Sequence, residues 1–275
     1  IVTTPFDREH GPLIRAELFH LGDDHHILTV AAHHIVCDGW SFGVSVRDLA
    51  ALYAQRLGQG TGPAPAGAFS NFALAEATYA GTEAAREDER YWLDRYAGAA
   101  PVLDLPTDRS RPRRRTFASR REDRTIDAAE LAAIRQLGAS QGASLYATLL
   151  TGFAVLLRRL TGQDDIVIGI PTAGQAAEGE DTLVGHAVNV LPLRAGVTDT
   201  ASFASLLGQV RRDLLDAFDH QRVTLGELLG KLSLPRDPSR LPLVCVLFNL
   251  DAKLDESTAR FPGLAFDVEA IPREH

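Results

Sequence analysis

The chain has no methionine among its 275 residues and only two cysteines, Cys37 and Cys245. Two cysteines far apart in unrelated contexts give no disulfide framework, so a reducing, cytoplasmic setting is the simpler expectation. No C-x-x-C pair or Cys/His cluster has the spacing of a zinc site. No apolar run reaches the length of a membrane span, and no signal-peptide pattern opens the chain. Positive charge is in deficit, 28 Lys and Arg against 36 Asp and Glu for a net charge of -8. That balance argues against nucleic acid or a membrane surface as a general partner, because both call for a positive field. A G-x-S-x-G elbow and a phosphate-binding glycine loop are also missing, so hydrolase and nucleoside triphosphatase chemistry lose support. The missing methionine leaves no initiator, and an internal stretch of a longer polypeptide is expected.

What is present is ordinary for a globular protein: 45% hydrophobic and 23% charged residues, enough for a large core. Residues 12–21 and 25–34 read as two strands joined by a turn at Gly22-Asp23-Asp24. The second, apolar on both faces, is expected in the centre of a sheet. Ser41 fits the N-cap of a helix to about Leu57, with Val44, Leu49 and Leu52 inward. Residues 58–67 form a Gly/Pro loop, and helices are expected near 70–79 and 83–96. Residues 101–124, with prolines and many arginines, read as a linker.

Asp127 with Glu130 has the form of a capping box. Ser144 caps a further helix in which Leu145, Leu149, Phe153, Leu156 and Leu160 recur at helical spacing. Residues 165–170, ended by Pro171, and 243–250 read as strands, 184–193 as an apolar run, and 203–218 as an amphipathic helix. Alternating strands and helices on both sides of the linker predict an α/β protein of two lobes: 1–100, the linker 101–124, and 125–275.

The sharpest local pattern is His33-His34-Ile35-Val36-Cys37-Asp38-Gly39-Trp40-Ser41. Two histidines end a strand, and a tight loop leads into a helix. Adjacent strand residues point to opposite faces, so one histidine enters a cleft and the other is structural. Asp38 is placed to hold the loop, through backbone N–H groups or an arginine, and Gly39 leaves room beside the imidazole. Metal binding by His26 and His34 is excluded by distance, since eight strand residues separate them by about 26 Å. Cys37 on so short a loop suits inward packing better than nucleophilic chemistry. The arginines of 109–124 suit a solvated linker, with a docking surface for an acidic partner as the alternative.

The pattern resembles the HHxxxDG motif of nonribosomal peptide synthetase condensation domains, with His33, His34, Asp38 and Gly39 in the motif positions and Trp40 and Ser41 in its usual continuation. Further landmarks follow in order. Phe69-Ser70-Asn71-Phe72-Ala73 is similar to the family's YxDYA-type helix. Gly185-His186-Ala187-Val188-Asn189 is similar to GxFVN, with Ala187 for the aromatic. His220-Gln221 opens an HQD-type motif in which Arg222 replaces the aspartate. Residues 236–243, Arg-Asp-Pro-Ser-Arg-Leu-Pro-Leu, resemble RDxSRNPL.

The resemblance implies a fold of two chloramphenicol acetyltransferase-like lobes in a V-shaped pseudo-dimer, incomplete at both ends here, with the isolated stretch inactive. It implies amide formation between a donor acyl thioester and an acceptor amine. Both substrates arrive on phosphopantetheine arms of upstream and downstream carrier domains, with adenylation or polyketide synthase domains adjacent. No cofactor or metal is expected on the domain itself. His34 is implied as base or orienting group, Asp38 as loop holder, His33 as structural, and Asn189 as a second contributor. An epimerization domain, a recruitment module without catalysis and a coenzyme A acyltransferase are the rivals. The Gly-Trp-Ser continuation, the intact His34 and Asp38, and the carrier-type motifs weigh against them respectively.

Overall fold

The computed structural model describes residues 4–98, 100–116, 118–177, 179–235, 237–251 and 259–269. Strands β1 (Ile14–His20) and β2 (His26–Ala32) come first, followed by helices α1 (Gly39–Arg56), α2 (Phe69–Tyr79) and α3 (Glu83–Arg95). Helices α4 (Ala128–Ser140) and α5 (Leu145–Thr161) lead to β3 (Asp165–Ala173), the short α6 (Gly174–Ala177) and β4 (Val188–Gly196). Helices α7 (Phe203–Asp219) and α8 (Leu225–Lys231) follow.

Among the described residues, two compact units interleave along the chain. Residues 4–77, 173–188 and 259–268 make the first, and 78–172, 189–251 and 269 the second. The partition expected from sequence is sequential, with 1–100 in one lobe. The tertiary contacts instead assign α3 to the second unit. Trp92 is buried in that unit's core and its indole N–H donates to the His220 carbonyl at 2.7 Å. Residues 101–124 contain no regular element among those described. They are nevertheless tied to the second unit: Leu103 is buried, and the Arg115 N–H donates to Pro238 O at 3.0 Å. The arginine run is mainly solvated, with Arg120–Glu122 and Arg121–Asp123 pairs that are largely exposed and so contribute little.

In the first unit, β1 and β2 pair antiparallel from Ile14↔Ala32 to His20↔His26, closed by Leu21 N–H donating to His25 O at 2.9 Å. The hairpin is as expected. The central position of β2 is not: among the described residues its sheet has two strands, and Ile27, Leu28 and Val30 are exposed. Helix α1 begins earlier than expected, because Asp38 rather than Ser41 caps it. The buried residues of α1 are Ser41, Val44 and Ala50: Val44 faces inward as expected, whereas Leu49 and Leu52 are 40% and 46% exposed.

The second unit holds the large core. Strand β3 is buried along Ile166–Ile170 on both faces, and β4, its neighbour in a two-stranded sheet, buries Leu191, Leu193 and Ala195. Leu150, Ala154 and Leu157 of α5 and Leu207, Val210 and Leu214 of α7 complete the cluster. Each large side chain buried in this way contributes about 1.5–3 kcal/mol. Helix α5 is apolar nearly all round, so periodicity could not select its inner side. The inner side carries Ala147, Leu150, Thr151, Ala154 and Leu157, whereas Leu156 and Leu160 are each 50% exposed.

The other two expected caps form. Asp127 and Glu130 make a reciprocal box on α4, and Ser144 caps α5, which closes on Gly162 in the left-handed region at φ 73°. Helix α8, for which periodicity gives no signal, opens with the same device at Thr224 and Glu227. Strand β3 runs past Pro171 to Ala173. The expected strand at 243–250 reduces to one parallel bridge, Gly169↔Leu247.

Candidate active site

The site grows from the exit of β2. His33 and His34 lie just beyond the strand, in a turn, not on its alternating face. The His33 N–H donates to Leu13 O at 2.8 Å, and its Nδ1 accepts the Ile35 N–H at 3.1 Å. Its ring meets Phe6 edge-on at 5.8 Å. His33 therefore shapes the turn. His34 is exposed, and its Nδ1 lies 3.0 Å from Nδ1 of His186 with the rings at 80°.

Asp38 is 3% exposed and fully engaged. Its Oδ1 accepts the Ser41 N–H at 2.9 Å and is 2.7 Å from the Ser41 hydroxyl. Its Oδ2 accepts from the Gln175 side-chain amide at 2.7 Å and from the Ala187 N–H at 3.1 Å. Burial on its own pushes the carboxyl pKa up; the bonds from Ser41, Gln175 and Ala187 more than offset this and hold it below the ordinary value of 3.8. Asp38 is thus a buried carboxylate that caps α1 and ties down its loop by backbone and side-chain donors. Among the described residues no arginine pairs with it.

Ser41 is fully buried. Its Oγ accepts the Gly185 N–H at 2.9 Å and lies 2.8 Å from the Gly185 carbonyl. Gly39 opens α1 on the surface, and a Cβ there would meet nothing within 4 Å. Trp40 is half-buried in the same turn. The Cys37 thiol is pushed up in pKa by burial and then by the Asp38 charge, which makes it a poor nucleophile. Among the described residues no group of three His, Cys, Asp or Glu side chains could hold a metal ion.

Gln175, Gly185, His186 and Ala187 are site residues that sequence reasoning missed. The available signal was the Gly185–Asn189 segment, which pointed to Asn189 alone. Asn189 lies in the second unit, and both ends of its amide are committed. Nδ2 donates to Gln221 O at 2.9 Å and Val223 O at 2.8 Å, while Oδ1 accepts from Val190 N at 2.8 Å and Leu225 N at 3.1 Å. This arrangement holds a loop and leaves no amide group free for a substrate.

The landmarks further along the chain brace the second unit. His220 Nδ1 is 2.8 Å from buried Asp88, and its ring stacks on Tyr91 at 4.1 Å. Arg222, in the place of the family aspartate, lies 3.6 Å over the Tyr79 ring. Asp237 accepts from the Ser239 N–H and hydroxyl, and Arg240 pairs with Asp104 at 2.7 Å. Arg236 is outside the described residues.

A buried aspartate capping the helix after a histidine turn, in an α/β protein, defines a class. The family model of the condensation domain matches residues 2–274. The chain belongs to the condensation-domain family, whose nonribosomal peptide synthetase members are acyltransferases that form amide bonds between carrier-bound substrates.

Over 284 residues it is 38% identical to surfactin synthase subunit 2 of Bacillus subtilis (strain 168), covering 98% of this chain and 8% of that protein. Over 259 residues it is 37% identical to tyrocidine synthase 3 of Brevibacillus parabrevis, covering 93% of this chain and 4% of that protein. The chain therefore spans less than a tenth of the length of these relatives. Among solved structures, the X-domain from teicoplanin biosynthesis superposes with a TM-score of 0.82 at 26% identity, over 98% of this chain and 62% of that one. The first condensation domain of the CDA synthetase gives 0.64 at 26% identity, over 77% and 47%. Among the described residues no single helix is long and apolar enough to cross a membrane.

Proposed function

We propose that this chain catalyses amide bond formation in nonribosomal peptide or hybrid polyketide–peptide assembly. A donor acyl thioester on an upstream carrier meets the amine of an aminoacyl thioester on a downstream carrier. The amine nitrogen attacks the thioester carbon, the C–N bond forms, the C–S bond breaks, and the proton lost by the amine returns to the leaving thiolate. Phosphopantetheine arms of the carriers bring both substrates, and adenylation or polyketide synthase domains are the expected neighbours. The cytoplasm is the compartment in which that machinery works.

One observation carries the reading: Asp38 is buried and saturated by four donors while His34, four residues earlier, is left exposed. The aspartate fixes the loop and the histidine is available. A neutral imidazole can accept the amine proton. A free α-amine has a pKa of about 7.7–8.0, so a useful fraction is already unprotonated near neutral pH. General-base help, typically about 10²–10⁴-fold, then lies toward its lower end. Positioning of two tethered substrates contributes more, since effective molarities reach about 10⁵ M or above. His34 orients the amine and takes its proton, and His33 shapes the turn.

Single-turnover transfer between loaded carrier proteins, measured on the full-length polypeptide, tests this. His34→Ala should slow amide formation more than His33→Ala at equal folded fraction. Equal losses, or a larger loss for His33→Ala, overturn the assignment.

A further inference from the structure

His186 sits beside His34 because the motif itself holds it there. The residue before it, Gly185, is bonded through its N–H, at 2.9 Å, to the Ser41 hydroxyl, which also lies 2.8 Å from the Gly185 carbonyl. The residue after it, Ala187, donates its N–H to Asp38 Oδ2 at 3.1 Å. The two side chains that start α1 thus pin the backbone on both sides of His186. Gly185 packs its bare α-carbon against the Phe69 ring, where a Cβ would collide, so the segment is held close. Between the imidazoles, two Nδ1 atoms 3.0 Å apart accommodate one proton when both rings are neutral. One nitrogen donates and the other accepts.

We propose that His186 is a positioning residue for His34. Its Nδ1 accepts the Nδ1–H of His34 and so fixes the tautomer in which Nε2 of His34 is the basic nitrogen. This rests on the reading of His34 given under Proposed function. The opposite arrangement places the proton on Nε2 of His34, where no amine proton can be taken. When Nε2 accepts that proton, the Nδ1–H donor becomes cationic and its bond to His186 becomes charge-assisted. Such bonds are roughly twice as strong as neutral ones, so the contact strengthens as the proton moves, where it can assist the reaction. His186 itself neither gains nor loses a proton. His34 passes the proton from Nε2 to the leaving thiolate.

Long-range ¹H–¹⁵N correlation spectra of the chain labelled at histidine nitrogens, recorded where both rings are neutral, read the tautomer directly. His34 should be protonated at Nδ1. In His186→Leu it should lose that preference. In His186→Asn, whose side-chain oxygen can take the place of Nδ1, it should keep it. An Nε2-protonated His34 in the unsubstituted chain, or a tautomer indifferent to His186→Leu, overturns the proposal without any variant having to be active. In single-turnover transfer, His186→Leu should slow amide formation at least about tenfold, a fraction of a full general-base effect. His186→Asn should recover most of it. Transfer unaffected by His34→Ala with the tautomer behaving as expected would overturn the functional reading instead, so the two failures are distinguishable.

Discussion

Asp38 Oδ2 and the backbone N–H of Ala187, 149 residues apart in sequence, meet at 3.1 Å. Through that bond, and the Ser41–Gly185 clamp beside it, a nine-residue motif near one end of the chain controls the position of a second histidine far along it. The first unit is assembled around this link, and most of what can be tested about the site follows from it.

Replacing Asp38 should unfold the site before it alters any chemistry. In Asp38→Ala, the Ser41 and Ala187 N–H groups and the Gln175 amide lose a buried acceptor, at about 1–3 kcal/mol for such groups. A melting temperature several degrees lower by differential scanning calorimetry is expected. An unchanged melting temperature with transfer lost would instead assign Asp38 a direct chemical role.

The pH dependence has a definite sign. The folded carboxyl is held below its ordinary 3.8, so the unfolded chain takes up the proton first as pH falls. The contribution of Asp38 is full above about pH 4 and is lost as pH drops through the folded value. Urea titrations should show Asp38→Asn less stable than the unsubstituted chain at pH 7, with the difference shrinking below about pH 4. A constant difference across that range would contradict the assignment.

Gly185→Ala drives a methyl group into the Phe69 ring. Overpacking of this kind costs about 1–3 kcal/mol. Because the obstacle is a side chain, Phe69→Leu in the same chain should recover part of the loss. Two effects that simply add in the double-mutant cycle would show that ring and glycine are not in contact.

Asn189→Ala removes four hydrogen bonds to residues 190 and 221–225. Chemical denaturation should report a loss of about 1–3 kcal/mol for the buried groups left unpaired. If Asn189 instead contacts substrate, stability will hold and transfer alone will fall.

In the second core, Leu150→Ala should cost about 2–5 kcal/mol. Leu156→Ala, further along the same helix and 50% exposed, should stay within about 0.5 kcal/mol. Comparable losses would mean that α5 presents a different face.

Local events are legible in the residues themselves. Caps form where Asp127 with Glu130, and Ser144, mark them, because capping is settled within four residues. The β1–β2 hairpin follows from a turn between two apolar runs. The condensation-domain family and the pair His34 and Asp38 can be read from one short motif. Long-range packing settled the rest. Asp38 caps α1 through a local bond from the Ser41 N–H, but the long-range partners of Asp38 Oδ2 and the Ser41 hydroxyl, Ala187 and Gly185, come from 144–149 residues away. The inner face of α5 was set by packing in the second core, a choice that an apolar helix leaves open. The nearness of His186 to His34, like the commitment of Asn189 to a loop, arises from hydrogen bonds between residues far apart in the chain. No local propensity encodes such pairings; only packing of the whole unit brings the partners within reach.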